Sequence, residues 1–204
     1  MNGGFISRGF GGRHRTPGEF ADRLPPGQYA ESGFPVLTAG PTPDVETSDW
    51  SFRIDGAVAE SAEWSWEQFH ELPFEDVPCD IHCVTKWSKL GTSFRGVSMD
   101  TLWERAEPLG AYAVAYSYGG YTTNLPVEDL SDGKAWVVTE HEGDALPREH
   151  GGPARLLVPH LYFWKSAKWV MGLRVMDHDE PGFWEENGYH NRGDPWQEQR
   201  YWGD

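Results

Sequence analysis

The apolar residues of this chain lie mostly in short runs and alternations, which are patterns typical of β-strands. Phe52 and Ile54 alternate with polar residues before a turn at Gly56. Compact apolar runs recur further along, and turn-forming residues separate them. Together these patterns predict strands within residues 51–58, 77–84, 111–118, 134–143, 154–160 and 168–179.

Two short stretches have the features of a helix. Residues 65–72 begin with Ser65, a residue type that caps helix N-termini. Residues 99–109 place apolar side chains at helical spacing, and Pro108 is expected to end that helix. Strands and short helices mix without a βαβ repeat, so the predicted fold class is α+β with mixed β-sheets and short helices.

The first part of the chain differs from the rest, because residues 1–48 are rich in Gly, Pro and Thr and show little periodicity. We therefore predict an extended N-terminal arm over 1–48 and one domain over 49–204. Phe34, Val36 and Leu37 give the arm apolar side chains to bury against the domain. The stretch after Pro181 is irregular but rich in aromatic residues, so it is expected to pack on the domain as well.

The charge of the chain excludes one class of partner. Its 17 Lys and Arg residues against 32 Asp and Glu give a net charge of −15, which disfavours nucleic-acid phosphates. No apolar run of about 20 residues is present, so we expect no integral membrane protein. No apolar stretch of a signal peptide follows the first arginines, and two cysteines cannot form a disulfide framework. A cytoplasmic location is therefore the expectation.

Potential metal ligands lie close together in CDIHCVTKWS, residues 79–88. Cys79, His82 and Cys83 could belong to a zinc site, but zinc sites usually take four ligands and the chain has no second cysteine pair. A zinc protein using these three residues is one interpretation. The other is that both cysteines are small, buried apolar residues.

A second segment, HGGPARLLVPHLYFWKSAKW at residues 150–169, combines a Gly-rich turn with basic residues. Arg155, Lys165 and Lys168 could together hold a phosphate, because a guanidinium binds phosphate oxygens in pairs and an ammonium acts as a point charge. The alternative is an ordinary surface hairpin whose charged side chains are solvated.

Motifs of the two segments occur in a fixed order: HCVTKWS (82–88) and FRGV (94–97), then GPARLLVP (152–159) and KSAKW (165–169). In this order they resemble the sulfite-oxidase-type molybdopterin oxidoreductases. The chain is most similar to the stand-alone prokaryotic members, including the methionine-sulfoxide-reducing ones. The resemblance implies a sulfite-oxidase-type molybdopterin-binding fold and one molybdenum–molybdopterin cofactor (Mo-MPT) per chain.

The resemblance also implies roles for particular residues. The family's one cysteine ligand of molybdenum matches Cys83 and not Cys79, and a soft thiolate suits that metal. The arginine that binds the pterin phosphate matches Arg155. The cofactor-binding residues implied in this way are Cys83, Ser117, His150, Arg155, Ser166, Ala167 and Lys168.

A departure from the family concerns the substrate. Sulfite oxidases carry an arginine at the position of Ser88, so sulfite is not the expected substrate here. Trp87 instead favours a neutral substrate such as a sulfoxide. We expect Cys83, Trp87 and Lys86 to be the catalytic residues, with Lys86 or Arg95 supplying a proton or hydrogen bond.

The implied reaction is two-electron oxygen-atom transfer on a small molecule, a sulfoxide or another sulfur oxide. The sequence contains no haem-ligand pattern before the domain and no immunoglobulin-like region after it. We therefore expect a monomer that exchanges electrons with a separate partner, such as a haem protein or a quinone-linked protein. The rival is a non-catalytic molybdopterin-binding protein of the same fold.

Overall fold

A computed structural model of the protein describes residue 20 and residues 22–204. The strands in these residues are β1 (Tyr29–Ala30), β2 (Ser51–Gly56), β3 (Ala62–Ser65), β4 (Phe74–His82), β5 (Trp87–Ser98), β6 (Tyr112–Ser117), β7 (Thr122–Pro126), β8 (Trp136–His141), β9 (Asp144–Ala145), β10 (Arg155–Leu157) and β11 (Val170–Met176). The α-helices are α1 (Trp66–His70), α2 (Met99–Trp103) and α3 (Phe183–Glu186). Over this described range, no helix has the length and apolar character needed to cross a membrane.

The strands form two mixed sheets, which confirms the predicted α+β class. In the first sheet β1, β5, β8 and β10 lie side by side, while β4 pairs with β5 and β9 with β8. Strand β1 runs parallel to β5, and β4 and β8 run antiparallel to it. The second sheet has the order β3-β2-β11-β6-β7, in which β11 is parallel to β2 and antiparallel to β6.

Two apolar clusters fill the interior. The larger one joins the second sheet to α1 and α2. The smaller one lies along β4 and β5 and includes Ile81, Phe94 and Tyr162, all at most 1% exposed. Cys83 and Trp87 belong to this smaller cluster, so the candidate ligand lies at the edge of a packed core.

The helix predicted after Ser65 is confirmed, and a capping box starts it. The Ser65 hydroxyl accepts from the Gln68 N–H at 3.3 Å, and the Gln68 side chain accepts from the Ser65 N–H at 2.9 Å. This reciprocal pair satisfies two N–H groups that the first turn leaves free.

The helix predicted to end at Pro108 is shorter than expected. Strand β5 leads into α2, the Ser98 hydroxyl caps it by accepting from the Asp100 N–H, and α2 ends at Trp103. The N–H of Leu109 donates to the carbonyl of Ala57 at 2.8 Å. The segment after α2 therefore bonds to the second sheet instead of continuing the helix.

In the described part of the N-terminal arm, Phe34 packs on the smaller apolar cluster, whereas Val36 and Leu37, also expected to be buried, are exposed. Tyr29 and Ala30 form β1 and pair with Trp87 and Ser88 of β5. Residues 1–19 and 21 of the predicted arm lie outside the described residues. The domain boundary at residue 48 stays a prediction.

The C-terminal stretch also packs on the domain, which confirms the prediction from its aromatic content. The Trp202 indole N–H donates to the Glu185 carbonyl at 3.0 Å. Arg200 is 7% exposed, and its guanidinium lies 4.9 Å from the centre of the Tyr162 ring. This stretch consequently reaches the smaller apolar cluster, where the candidate site lies.

Candidate active site

A cavity of about 520 Å³ opens beside Cys83. The turn after β4, the arm, the segment from His150 to Trp169 and the start of the C-terminal stretch line it. This volume lies within the range of roughly 300–1,000 Å³ that is usual for ligand and cofactor pockets. The predicted site residues that line the cavity are Cys83, Trp87, His150, Arg155, Ser166 and Lys168.

Cys83 starts a tight turn that joins β4 to β5. The Lys86 N–H closes the turn by donating to the Cys83 carbonyl at 3.0 Å. Gln28 of the arm donates to the same carbonyl at 3.0 Å, and Arg200 donates to the Val84 carbonyl at 2.7 Å. Because both the arm and the C-terminal stretch bond to this turn, the position of the thiol depends on distant parts of the chain.

The chemistry of Cys83 suits a metal ligand. Its Sγ lies 3.1 Å from the Thr85 hydroxyl. Burial raises the pKa of Cys83, while the hydrogen bond from Thr85 acts in the opposite direction. A bound metal ion would deprotonate such a thiol outright. Cys79, whose pKa burial raises to about 12, does not line the cavity.

Arg155 is the first residue of β10, and its side chain is almost fully buried, at 1% exposed. Its guanidinium donates to the carbonyls of His150 at 2.8 Å and Ser166 at 2.5 Å, and its Nε donates to the Leu156 carbonyl at 3.4 Å. It also lies 3.9 Å from the centre of the Phe163 ring. A guanidinium has five N–H donors, so two of them are left for another acceptor.

Arg155 carries its charge without a carboxylate. Burial lowers its pKa to about 9, and the titratable groups that favour its charge are Tyr121 and Cys79. No Asp or Glu of the described residues forms an ion pair with it. A buried charge without a counterion is unfavourable, and an anion bound in the cavity would offset that cost. The phosphate of a pterin cofactor is such an anion, so the residues present fit the group.

Two further basic residues lie beside Arg155. The His150 ring stacks on Phe34 with centroids 3.8 Å apart. Burial, and then the charges of Arg155 and Lys168, lower the pKa of His150 to about 4, so it is neutral at pH 7. Lys168 donates to two backbone carbonyls at 2.7 Å and 2.6 Å. Burial and Arg155 lower its pKa to about 8, so it keeps its charge at pH 7.

The Gly-rich turn brings these groups together. Gly151 has φ of 110°, a conformation that favours glycine. A Cβ at this position would lie 3.0 Å from the Lys168 Cα and 3.1 Å from the Arg155 Cβ. The Trp169 N–H donates to the Gly151 carbonyl at 3.1 Å, which holds the two segments side by side.

The remaining predicted residues, Ser166, Ala167 and Ser117, are all buried. The Ser166 hydroxyl accepts from the Val158 N–H at 2.9 Å, which is a structural contact. Ala167 is 1% exposed, and its carbonyl accepts from the Leu156 N–H at 2.9 Å. The Ser117 hydroxyl is buried and has no hydrogen-bond partner within the described part of the chain. Neither Ser117 nor Ala167 lines the cavity, so the structure does not bring these two predicted residues to the site.

Three basic residues that the sequence grouped with the site lie elsewhere. Lys86 is exposed and Arg95 pairs with Asp76 at 3.0 Å; neither lines the cavity. Lys165 points away from the cavity, and its ammonium forms a fully buried ion pair with Glu185 at 2.6 Å. Of the three basic residues expected to bind the phosphate, only Arg155 and Lys168 are therefore in position, and Lys165 is not.

The zinc interpretation is contradicted by the structure. The three residues of this interpretation, Cys79, His82 and Cys83, lie on β4 and directly after its end. Residues four positions apart on a strand, such as Cys79 and Cys83, are separated by about 13 Å. His82 is bonded through Nδ1 to the Ser88 hydroxyl at 2.8 Å. Among the residues that the structure describes, no cluster of three His, Cys, Asp or Glu side chains could hold a metal ion.

Sequence reasoning missed the aromatic residues of the cavity. Phe34, Trp164, Trp184 and Tyr189 all line it. The density of aromatic residues after Pro181 predicted packing on the domain, but no local pattern tells which of these rings face a cavity. Their position follows from the fold as a whole.

The class of the protein follows from a match to known families. Residues 39–184 match the family described as the oxidoreductase molybdopterin binding domain, and this range includes Cys83, Arg155 and Lys168. The chain belongs to this family, and the resemblance to sulfite-oxidase-type molybdopterin oxidoreductases is confirmed.

Individual relatives agree with this assignment. The uncharacterized oxidoreductase YuiH of Bacillus subtilis is 41% identical, over 88% of this chain and 92% of its own length. The protein-methionine-sulfoxide reductase catalytic subunit MsrP of Gluconobacter oxydans is 27% identical, and the match spans 72% of this chain but 54% of MsrP. The sulfane dehydrogenase SoxCD of Paracoccus pantotrophus has the same fold, with a TM-score of 0.61 at 21% identity over 68% of this chain and 41% of its own.

Proposed function

We propose that the chain binds one Mo-MPT cofactor and transfers an oxygen atom to or from a small, uncharged sulfur oxide such as a sulfoxide. The observation that carries this proposal is the buried guanidinium of Arg155. It has no carboxylate partner among the described residues, and it lines the same cavity as Cys83. A cofactor that offers both a phosphate and a metal would satisfy the two residues together.

Each residue has a distinct task in this proposal. The Cys83 thiolate would bind the metal, and Arg155 and Lys168 would hold the phosphate. Neutral His150, stacked on Phe34, would donate or accept a hydrogen bond at the pterin. The bound group supplies the two-electron chemistry, while the protein positions it and tunes its surroundings.

Trp87 is the proposed contact for the substrate. It is 4% exposed and lines the cavity, and its indole N–H is buried without an acceptor in the described part of the chain. The uncharged indole ring can contact a sulfoxide without introducing charge. Lys86, proposed from the sequence as a proton donor, lies on the surface side of the same turn and would act only through solvent.

The charges on the cavity favour a neutral substrate over sulfite. Arg155 and Lys168 are both assigned to the phosphate. Ser88, at the position where sulfite oxidases carry arginine, is fully buried and bonded to His82. No other Lys or Arg of the described residues lines the cavity, so a sulfite anion would lack a cation of its own. MsrP, a relative that reduces protein methionine sulfoxide by its name, agrees with a neutral sulfur oxide.

Electron exchange with a separate partner is part of the proposal. The monomeric state, the cytoplasmic location and the haem or quinone link of that partner stay predictions from the sequence. Size measurement of the purified protein in solution checks the first of them.

The experiment compares three proteins for molybdenum and pterin content: wild type, Arg155→Met and Arg95→Met. Arg95 is the control because its side chain is 41% exposed and it does not line the cavity. About one molybdenum per chain is expected in the wild type and the control, with a large loss in Arg155→Met. Retention in Arg155→Met, or a wild type free of molybdenum, contradicts the proposal.

The substrate is tested on the same preparations. A sulfoxide should oxidise the reduced enzyme rapidly, whereas sulfite should reduce the oxidised enzyme slowly. Rapid reduction by sulfite would overturn the choice of a neutral substrate.

A further inference from the structure

Three aromatic rings form a continuous surface on one side of the cavity. Tyr189 stacks on Trp184 with centroids 4.9 Å apart and planes at 17°, and it meets Trp164 edge-on at 5.0 Å. All three rings line the cavity beside Cys83. We call Trp164, Trp184 and Tyr189 the aromatic wall.

A buried ion pair fixes the aromatic wall in place. Glu185 is fully buried and lies next to Trp184 in α3. Its carboxylate accepts from the Trp164 indole N–H at 2.8 Å and pairs with Lys165 at 2.6 Å. The Tyr189 N–H donates to the Trp184 carbonyl at 3.0 Å, so the turn after α3 sets the stacking of the two rings. The wall is therefore held by contacts that do not involve the cavity.

Close backbone approaches on both sides leave the aromatic wall little room to move. Gly182 precedes α3, and a Cβ there would lie 2.5 Å from the Thr123 Cα. Gly193 lies against the Trp164 ring, where a Cβ would come within 2.7 Å of two ring atoms. A ring pressed against backbone in this way keeps one orientation, which is what a selective contact surface requires.

The aromatic wall differs from the rest of the cavity in its charge and in its origin. Arg155 and Lys168 give one part of the cavity positive charge that suits an anion. The aromatic wall instead presents uncharged ring faces and edges. The family match ends at residue 184, so Glu185 and Tyr189 lie beyond it. The wall is thus partly built by residues that follow the matched range 39–184.

From these contacts we propose that the aromatic wall is the subsite for the organic substituent of the substrate, and that it selects aryl and thioether groups over small alkyl groups. This inference rests on the proposed function, because it names the substrate class of the same site. Aromatic rings gain from contact with another ring or with a sulfur atom beyond the effect of burial alone. Loss of one such ring contact corresponds to a change of about 2- to 10-fold in affinity.

The test measures binding of sulfones, which carry the same substituents as sulfoxides and need no turnover. Titration calorimetry of the full-length protein as purified compares methyl phenyl sulfone with dimethyl sulfone. The main variant is Trp184→Leu, which removes the aromatic ring. Trp184→Phe keeps an aromatic ring at this position and serves as the second variant in case leucine disturbs folding. Trp66→Leu is the control, because Trp66 is half-buried like Trp184 but packs on the other apolar cluster.

The wild type should prefer methyl phenyl sulfone, and Trp184→Leu should reduce that preference by about 2- to 10-fold. Trp184→Phe should keep most of it and Trp66→Leu all of it. Equal binding of the two sulfones, or an unchanged preference in Trp184→Leu, overturns the inference. Absence of molybdenum or of sulfoxide turnover overturns the proposed function instead, and the sulfone titration would still decide on the wall.

Discussion

Replacement of either partner of the Lys165–Glu185 pair should destabilise the protein strongly. Both side chains are 0% exposed, and their charged atoms lie 2.6 Å apart. Lys165 also donates to the Asn124 carbonyl at 2.7 Å and to the Asn124 side chain at 2.9 Å. Removing Glu185 leaves an ammonium in the interior, and removing Lys165 leaves a carboxylate there.

The expected size follows from this burial. Breaking a buried ion pair by removing one partner costs about 3–5 kcal/mol, because the remaining charge is uncompensated. For a chain of this length the denaturant slope in urea is about 2–3 kcal/mol per molar. The unfolding midpoint of Glu185→Gln or Lys165→Met should therefore fall by about 1–2.5 M.

Equilibrium urea unfolding of cofactor-free protein, followed by tryptophan fluorescence, measures these midpoints without a contribution from the bound group. In Lys165→Met/Glu185→Gln neither charge is buried, and the glutamine still accepts from Trp164. The double variant should cost about 2–3 kcal/mol less than the sum of the single variants. Single variants within about 0.4 M of wild type, or strict additivity, would refute the reasoning.

Three further predictions concern the cofactor site and α1. The pKa of Lys168 is about 8, so its charge is lost above that pH and cofactor retention on dialysis should fall between pH 7 and pH 9. Lys168→Met should weaken that dependence and leave the part due to Arg155, whose pKa is about 9; a wild type without the dependence would contradict the assignment. Gly151→Ala places a Cβ 3.0 Å from Lys168, and this crowding should lower unfolding stability by about 1–3 kcal/mol more than Gly120→Ala. Gly120 also has a positive φ, of 82°, but a Cβ there would meet no atom within 4 Å, so it controls for backbone strain; equal losses would contradict the prediction. Ser65→Ala removes the capping box and should cost about 0.5–2 kcal/mol in the same assay, and an unchanged midpoint would count against the cap.

Strands with a clear apolar pattern were predictable, and strands without one were not. The alternation in residues 51–58 predicted β2, and the compact run in 168–179 predicted β11. Strand β5 gave no such signal, because its 12 residues include Gly91, Gly96 and several Ser and Thr residues. It is a strand because β1, β4 and β8 all pair with it. Those pairings join parts of the chain that no local window contains.

The residues of the candidate site also fall into those that the sequence predicted and those that it did not. The local motifs singled out Cys83 and Arg155 as candidates, and their resemblance to a known family implied the roles of the two residues. Lys165 was grouped with Lys168 on proximity in sequence alone. The 3-10 turn Phe163–Lys165 instead directs it to Glu185, in a stretch whose packing the sequence predicted only in general terms. Which aromatic rings face the cavity depended on that same packing.

The most direct test of the account is X-ray absorption spectroscopy at the molybdenum edge on the purified protein, in the wild type and in Cys83→Ser. If Cys83 is the ligand, the wild type shows the two dithiolene sulfurs of one pterin and one further sulfur, and Cys83→Ser loses that further sulfur while keeping its pterin. Cys79→Ser, the matched control, should give the wild-type spectrum. An unchanged sulfur count in Cys83→Ser would contradict the central claim that Cys83 binds the metal.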